Sequence, residues 1–100
     1  MDDVGAKPYI LRLYVTDAAP KSARAIVNAR RILEAHLQGR YALEILNIAE
    51  HVAQAARDQI VCAPTLYRLA PLPTRRIIGD MGDEARVLQG LDLALPPGAP

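Results

Sequence analysis

The chain has 100 residues, 51% of them hydrophobic, with 12 lysines and arginines against 11 aspartates and glutamates. That is enough apolar content for one domain with one core, and it excludes a disordered chain. The formal charge of +1 excludes the bulk attraction to a nucleic-acid polyanion or an anionic membrane that a basic protein carries. No apolar run approaches the roughly 20 residues that cross a bilayer. The acidic opening MDDVGAKPYI lacks the basic segment and long apolar core of a signal peptide, and the one cysteine, Cys62, cannot close an intrachain disulfide. A cytoplasmic protein, with neither nucleic acid nor membrane among its partners, is expected.

Residues 1–7 read as a flexible N-terminus before a single domain over 8–95. From Tyr9 to Val15, Leu11, Leu13 and Val15 alternate with Ile10, Arg12 and Tyr14, the period of a strand. Asp17 to Pro20 break it. Ser22 is positioned to cap a helix whose apolar side is Ala23, Ile26, Ala29, Leu33 and Leu37, and Gly39 stops it. Tyr41 to Ile48 is apolar on both faces, as in a strand sandwiched between layers, and completes a βαβ unit. The alanine-rich stretch from Glu50 to Asp58 fits a short, weakly anchored helix.

Beyond it lie two apolar runs, Ile60 to Leu69 and Arg75 to Ile78, separated by Pro71 and Pro73. Proline cannot donate to a sheet ladder, so pairing is interrupted there, and so short a connection makes the two runs antiparallel. The second run fixes Arg75 and Arg76 on opposite sides of a strand, so at least one guanidinium faces outward. Asp83 can cap a last helix through Val87, Leu88, Leu91 and Leu95. Leu91, Leu93 and Leu95 also alternate as a strand would, and Gly90 weakens the helical reading by about 1 kcal/mol relative to alanine. The tail from Pro96 to Pro100 is expected to be disordered. The order βαβαββα with a four-stranded mixed sheet is an α/β, thioredoxin-like arrangement.

YILRLYV, PKSARAI, YALEIL, APTL, and above all RRIIGD followed by VLQGLDL, resemble the KaiB family over nearly all of residues 8 to 94. The resemblance implies a non-catalytic, cofactor-free protein of a circadian or clock-like system that binds the KaiC-type hexameric ATPase. It also implies two folds: a homotetramer, and a rarer thioredoxin-like monomer that docks on the ATPase, the two differing from about Ala49 onward. Carried over residue by residue, it points to Arg24, Ala42, Arg75 and Arg76 for partner binding. It also points to Pro64, Pro71, Pro73, Gly90 and Asp92 for the fold switch, with Pro64 at the place of a thioredoxin-type cis proline. A histidine kinase or a KaiA-like protein are further candidate partners. Glu44 and Gln59 stand where the family typically has lysine, which removes cations from a surface meant for an acidic partner.

Rival readings are plain. Arg75 and Arg76 also suit a solvated edge that discourages aggregation. An adaptor that docks a histidine kinase would use the same surface. A thiol oxidoreductase needs sulfur at the turn before the first helix, and Thr16 to Lys21 has none, whereas a glutathione-binding protein would rest on Thr65 alone, whose backbone after a cis proline could meet a peptide-like ligand. Cys62 reads as a small buried hydrophobe. His36, His51 and Cys62 lack zinc-ligand spacing, and the six glycines form no phosphate loop.

Overall fold

The computed structural model describes residues 8–17 and 19–93. The chain runs β1 (Tyr9–Val15), α1 (Pro20–Leu37), β2 (Tyr41–Asn47), a single 3-10 turn (Ile48–Glu50), α2 (Val52–Arg57), β3 (Thr65–Ala70), β4 (Arg75–Ile78) and α3 (Glu84–Gly90). The four strands form one sheet in the order β2-β1-β3-β4. β1 and β2 are parallel, while β1–β3 and β3–β4 are antiparallel, so the sheet is mixed. The expected flexible segments 1–7 and 96–100, and Leu95 of the last helix, lie outside the described residues.

Strand alternation sends Leu11, Leu13, Leu66 and Ile77 to one face, where Ala25, Ala29, Ile32, Leu33 and Leu37 of α1 and Val87 and Leu88 of α3 cover them. The other face is thinner: Tyr14, Leu46 and Tyr67 meet Ala55 of α2 and Ile60. One side of the sheet therefore carries most of the core, and the other keeps an open surface beside α2. Fully burying a leucine or isoleucine is worth about 1.5–3 kcal/mol, so the α1 side dominates stability.

Several boundaries differ from expectation. Ser22 is not the cap of α1; the helix opens one turn earlier with Pro20 as its first residue, where the missing N–H costs nothing. Ser22 is buried and its Oγ accepts the Thr16 N–H at 3.1 Å, tying the end of β1 to α1. β2 is an edge strand rather than a sandwiched one, and of its residues only Leu46 is fully buried. β3 starts at Thr65, because Ile60 folds back under α2 and residues 61–64 form a loop.

α3 stops at Gly90. Asp92 takes a left-handed φ of 61°, and its N–H and that of Leu93 turn back to the carbonyls of Gln89 and Leu88. This paired closure is the Schellman ending of a helix, which settles the ambiguity of this stretch in favour of helix up to Gly90. Asp83 caps the other end, its Oδ1 accepting the Arg86 N–H at 3.2 Å.

Candidate functional site

On the open face, strand register aligns four side chains across the sheet: Glu44 beside Arg12, Arg12 beside Tyr67, and Tyr67 beside Arg76. Asp58, the residue that ends α2, ties this row to the helix. Its Oδ2 accepts Arg12 Nη1 at 2.9 Å and the Tyr14 hydroxyl at 2.6 Å. Its main-chain carbonyl accepts Arg76 Nε at 2.8 Å. Arg76 also donates to Gln59 Oε1 at 3.4 Å and lies 4.8 Å from the centre of the Tyr67 ring, within cation–π range. Burial, together with the hydrogen bond to Asp58, pushes the Tyr14 hydroxyl up to about 12. Arg12 reaches a second acid, its Nε standing 3.4 Å from Glu44 Oε1.

The edge formed by β4 is cationic. Arg76 is exposed on the α2 side, and Arg75 is half-buried on the α3 side. Arg86 of α3 donates to the Ile78 carbonyl at 3.2 Å. Among the described residues, none of these three guanidiniums lies within ion-pair distance of a carboxylate; each bonds only to carbonyl or amide oxygens. Arg24 joins the same end of the molecule from α1, where its Nε meets Asp80 Oδ2 at 3.3 Å. The Gly82 N–H and then Arg24 hold the Asp80 carboxyl below its ordinary value.

The candidate residues thus fall into two groups. Arg75 and Arg76 are neighbours on β4, and Arg24 is drawn toward that strand's end by Asp80. Ala42 is exposed on β2, the opposite edge, three strand spacings or about 14 Å away. The bonds preceding Pro64, Pro71 and Pro73 are all cis. Gly90 sits where an added Cβ would lie 2.6 Å from Ile77 Cγ1, so its lack of a side chain lets α3 approach β4. Asp92 is the left-handed stop of that helix.

Sequence reasoning missed Arg68. It is buried, its Nη1 donates to the Leu91 carbonyl, and its Nη2 donates to the Pro73 carbonyl at 2.6 Å, so it staples the end of α3 to the proline turn. Strand alternation within TLYRLA, which puts Arg68 on the same side as Leu66, was the available signal. Cys62 was expected to be buried and is exposed, because the loop carrying it stands clear of the sheet before β3 begins. An open hollow of 430 Å³ lies where α1 begins, lined by Thr16, Pro20 and Ser22 among others. Its hydroxyls bond to each other and to main chain. Among the described residues, no three His, Cys, Asp or Glu side chains gather as metal ligands, and no helix is long and apolar enough to cross a membrane.

The family model for the KaiB domain matches residues 12–93. The chain belongs to the KaiB family. Among its relatives, the circadian clock oscillator protein KaiB of Synechococcus elongatus is 47% identical over 87 residues, covering 87% of this chain and 85% of that protein. The protein of the same name from a Nostoc species is 45% identical over 87 residues, covering 87% and 81%. Among solved structures, the N-terminal domain of Synechococcus elongatus SasA matches with a TM-score of 0.68 at 22% identity, over 86% of this chain and 85% of that one. Mitochondrial thioredoxin 3 of Saccharomyces cerevisiae matches with a TM-score of 0.69 at 10% identity, over 86% and 78%. These neighbours show the fold alone: this KaiB-family chain is thioredoxin-like in the described state.

Proposed function

We propose that this KaiB-family chain is a non-catalytic regulatory protein of a circadian or clock-like system, which in its thioredoxin-like state docks on a KaiC-type hexameric ATPase. The observation that carries the reading is the 47% identity to circadian clock oscillator proteins over 87 residues. Exposure of Ala42, Arg24 and Arg76, and the unneutralised guanidiniums along β4, support a protein surface that meets an acidic partner. The alternative tetramer belongs to the same proposal, with the thioredoxin-like monomer as the species the ATPase captures from a resting pool. If that monomer is about 1% populated, apparent affinity falls about a hundredfold and complex formation is slow.

The second half of the chain is suited to such a change. Among the described residues, the three non-glycine residues with positive φ, Gln59, Met81 and Asp92, all lie beyond β2. Each left-handed residue costs about 1 kcal/mol, so this half holds its conformation with less in hand than β1, α1 and β2. The test is co-migration with a KaiC-type ATPase and ATP over several hours, beside an Arg75→Glu/Arg76→Glu variant shown to be folded. The reading requires slow complex formation by the native chain and loss of the complex in the variant. Absence of any complex under every nucleotide condition would end it.

A further inference from the structure

The antiparallel ladder decides which main-chain groups of β4 are free. The Gly79 N–H donates to the Pro64 carbonyl at 3.0 Å. Hydrogen-bonded pairs alternate along such a ladder, so in this register the next are Leu66 with Ile77 and Arg68 with Arg75. The main-chain groups of Arg76 and Ile78 therefore point away from β3. The Ile78 carbonyl is taken by Arg86 Nη1. Among the described residues, what remains on the edge is the N–H and carbonyl of Arg76 and the N–H of Ile78, a short template for one more strand.

The side chains around that template select its occupant. Arg86 reaches the edge from α3 at the Ile78 carbonyl, and Arg76 lies on the α2 face with its guanidinium leaning back over Tyr67, so the sheet offers a guanidinium on each face beside a strand laid here. Ile78, on the Arg76 face, is 48% exposed and offers an apolar contact. On the α3 side a 220 Å³ open pocket, lined by Arg76, Ile77, Ile78, Arg86 and Gly90, adjoins the edge. This is smaller than the roughly 300–1,000 Å³ of small-molecule sites and suits one side chain of a chain lying along the strand. A second copy of β4 is disfavoured, because pairing like edges would bring the unneutralised arginines of both copies together.

We propose that the free edge of β4 takes an acidic, extended segment of a partner chain as a fifth strand, with Arg76 and Arg86 receiving its carboxylates from the two faces of the sheet. Main-chain bonds supply the pairing, and the arginines supply the choice of an acidic sequence. The proposal rests on the reading above that this edge faces the partner, and it names how the partner is held.

The probe is a blocked hexapeptide of sequence Glu-Val-Glu-Glu-Val-Glu, which shows carboxylates on both faces when extended. It is titrated into the full chain in the absence of any ATPase and followed by amide chemical shifts and hydrogen exchange. Two further versions carry N-methyl groups on the amides of one strand edge or the other. At saturation, exchange at the Arg76 and Ile78 amides slows about tenfold or more. One N-methylated version loses binding and the other keeps it, a control peptide with lysine in place of every glutamate does not bind, and Arg86→Glu weakens binding about tenfold. Arg86 is exposed and, among the described residues, bonds through its side chain only to the Ile78 carbonyl, so this variant stays folded where Arg76→Glu would also loosen α2. Equal binding by both N-methylated versions, or no protection at Arg76 and Ile78, overturns strand addition. Peptide protection without an ATPase complex would leave this inference standing and remove the proposed function; the converse pair of results does the reverse.

Discussion

Asp58 does more for the open face than its place at the end of a six-residue helix suggests. It gathers the Arg12 guanidinium, the Tyr14 hydroxyl and, through its carbonyl, the Arg76 guanidinium. Removing the carboxylate leaves Arg12 and Tyr14 without their shared acceptor in a largely buried place. Asp58→Ala should cost about 2–4 kcal/mol in urea unfolding, and Tyr14→Phe about 1 kcal/mol; an Asp58→Ala loss within about 0.5 kcal/mol would mean that the network is ornamental. The raised Tyr14 value gives a pH signature. A hydroxyl whose folded value exceeds its unfolded value of about 10 stabilises the fold fully below that pH, and this contribution disappears as pH rises toward about 12. Alkaline unfolding of the native chain should therefore show a loss between about pH 10 and 12 that Tyr14→Phe lacks. The adjacent arginines of RRIIGD were legible because neighbours on a strand must face opposite ways. Asp58 was not, since its partners stand 46 and 44 residues away and only the sheet brings them together.

At the scale of elements, the two short helices are held in different ways. α2 buries only Ala55 and relies on Asp58, whereas α3 buries Val87 and Leu88 and is stapled by Arg68. Helices this short have little stability of their own. Hydrogen exchange should accordingly rank α2 as the least protected helix and α1 as the most; protection of α2 equal to that of α1 would contradict the packing described. Asp92→Gly replaces a left-handed aspartate at the Schellman position of α3 and should stabilise this fold by about 0.5–1 kcal/mol, read from the unfolding midpoint. Destabilisation instead would mean that the Asp92 side chain contributes something its exposed position does not show. Element type and order were readable from period and turn chemistry. The ends were not: Ser22 is pulled into a bond with Thr16, and α3, which stops at Gly90, is closed by Asp92, left-handed without being glycine. β2 was misjudged for a related reason, because a strand with apolar residues on both faces can lie at an edge when one face of the sheet is only partly covered.

For the whole molecule, the sheet divides the labour. β1, α1 and β2 supply most of the core and no left-handed non-glycine residue among those described, while the part beyond β2 carries three such residues, two short helices and the cationic edge. The cationic edge of the surface proposed to meet the partner therefore sits on the half that is less firmly committed to its conformation, where binding can select between states, while Arg24 and Ala42 stand on the firmer half. The family is shown by identity along the chain, and the thioredoxin-like state by its sheet; that this state is the one that docks is proposed. Hydrogen exchange of the chain bound to a KaiC-type hexameric ATPase decides whether it does. The bound chain should keep the β3–β4 ladder, with the amides of Leu66 and Ile77 protected, and Arg76 should become protected in addition. A bound chain in which residues 65–78 lose that ladder and take up a different pattern of protection would contradict the proposal.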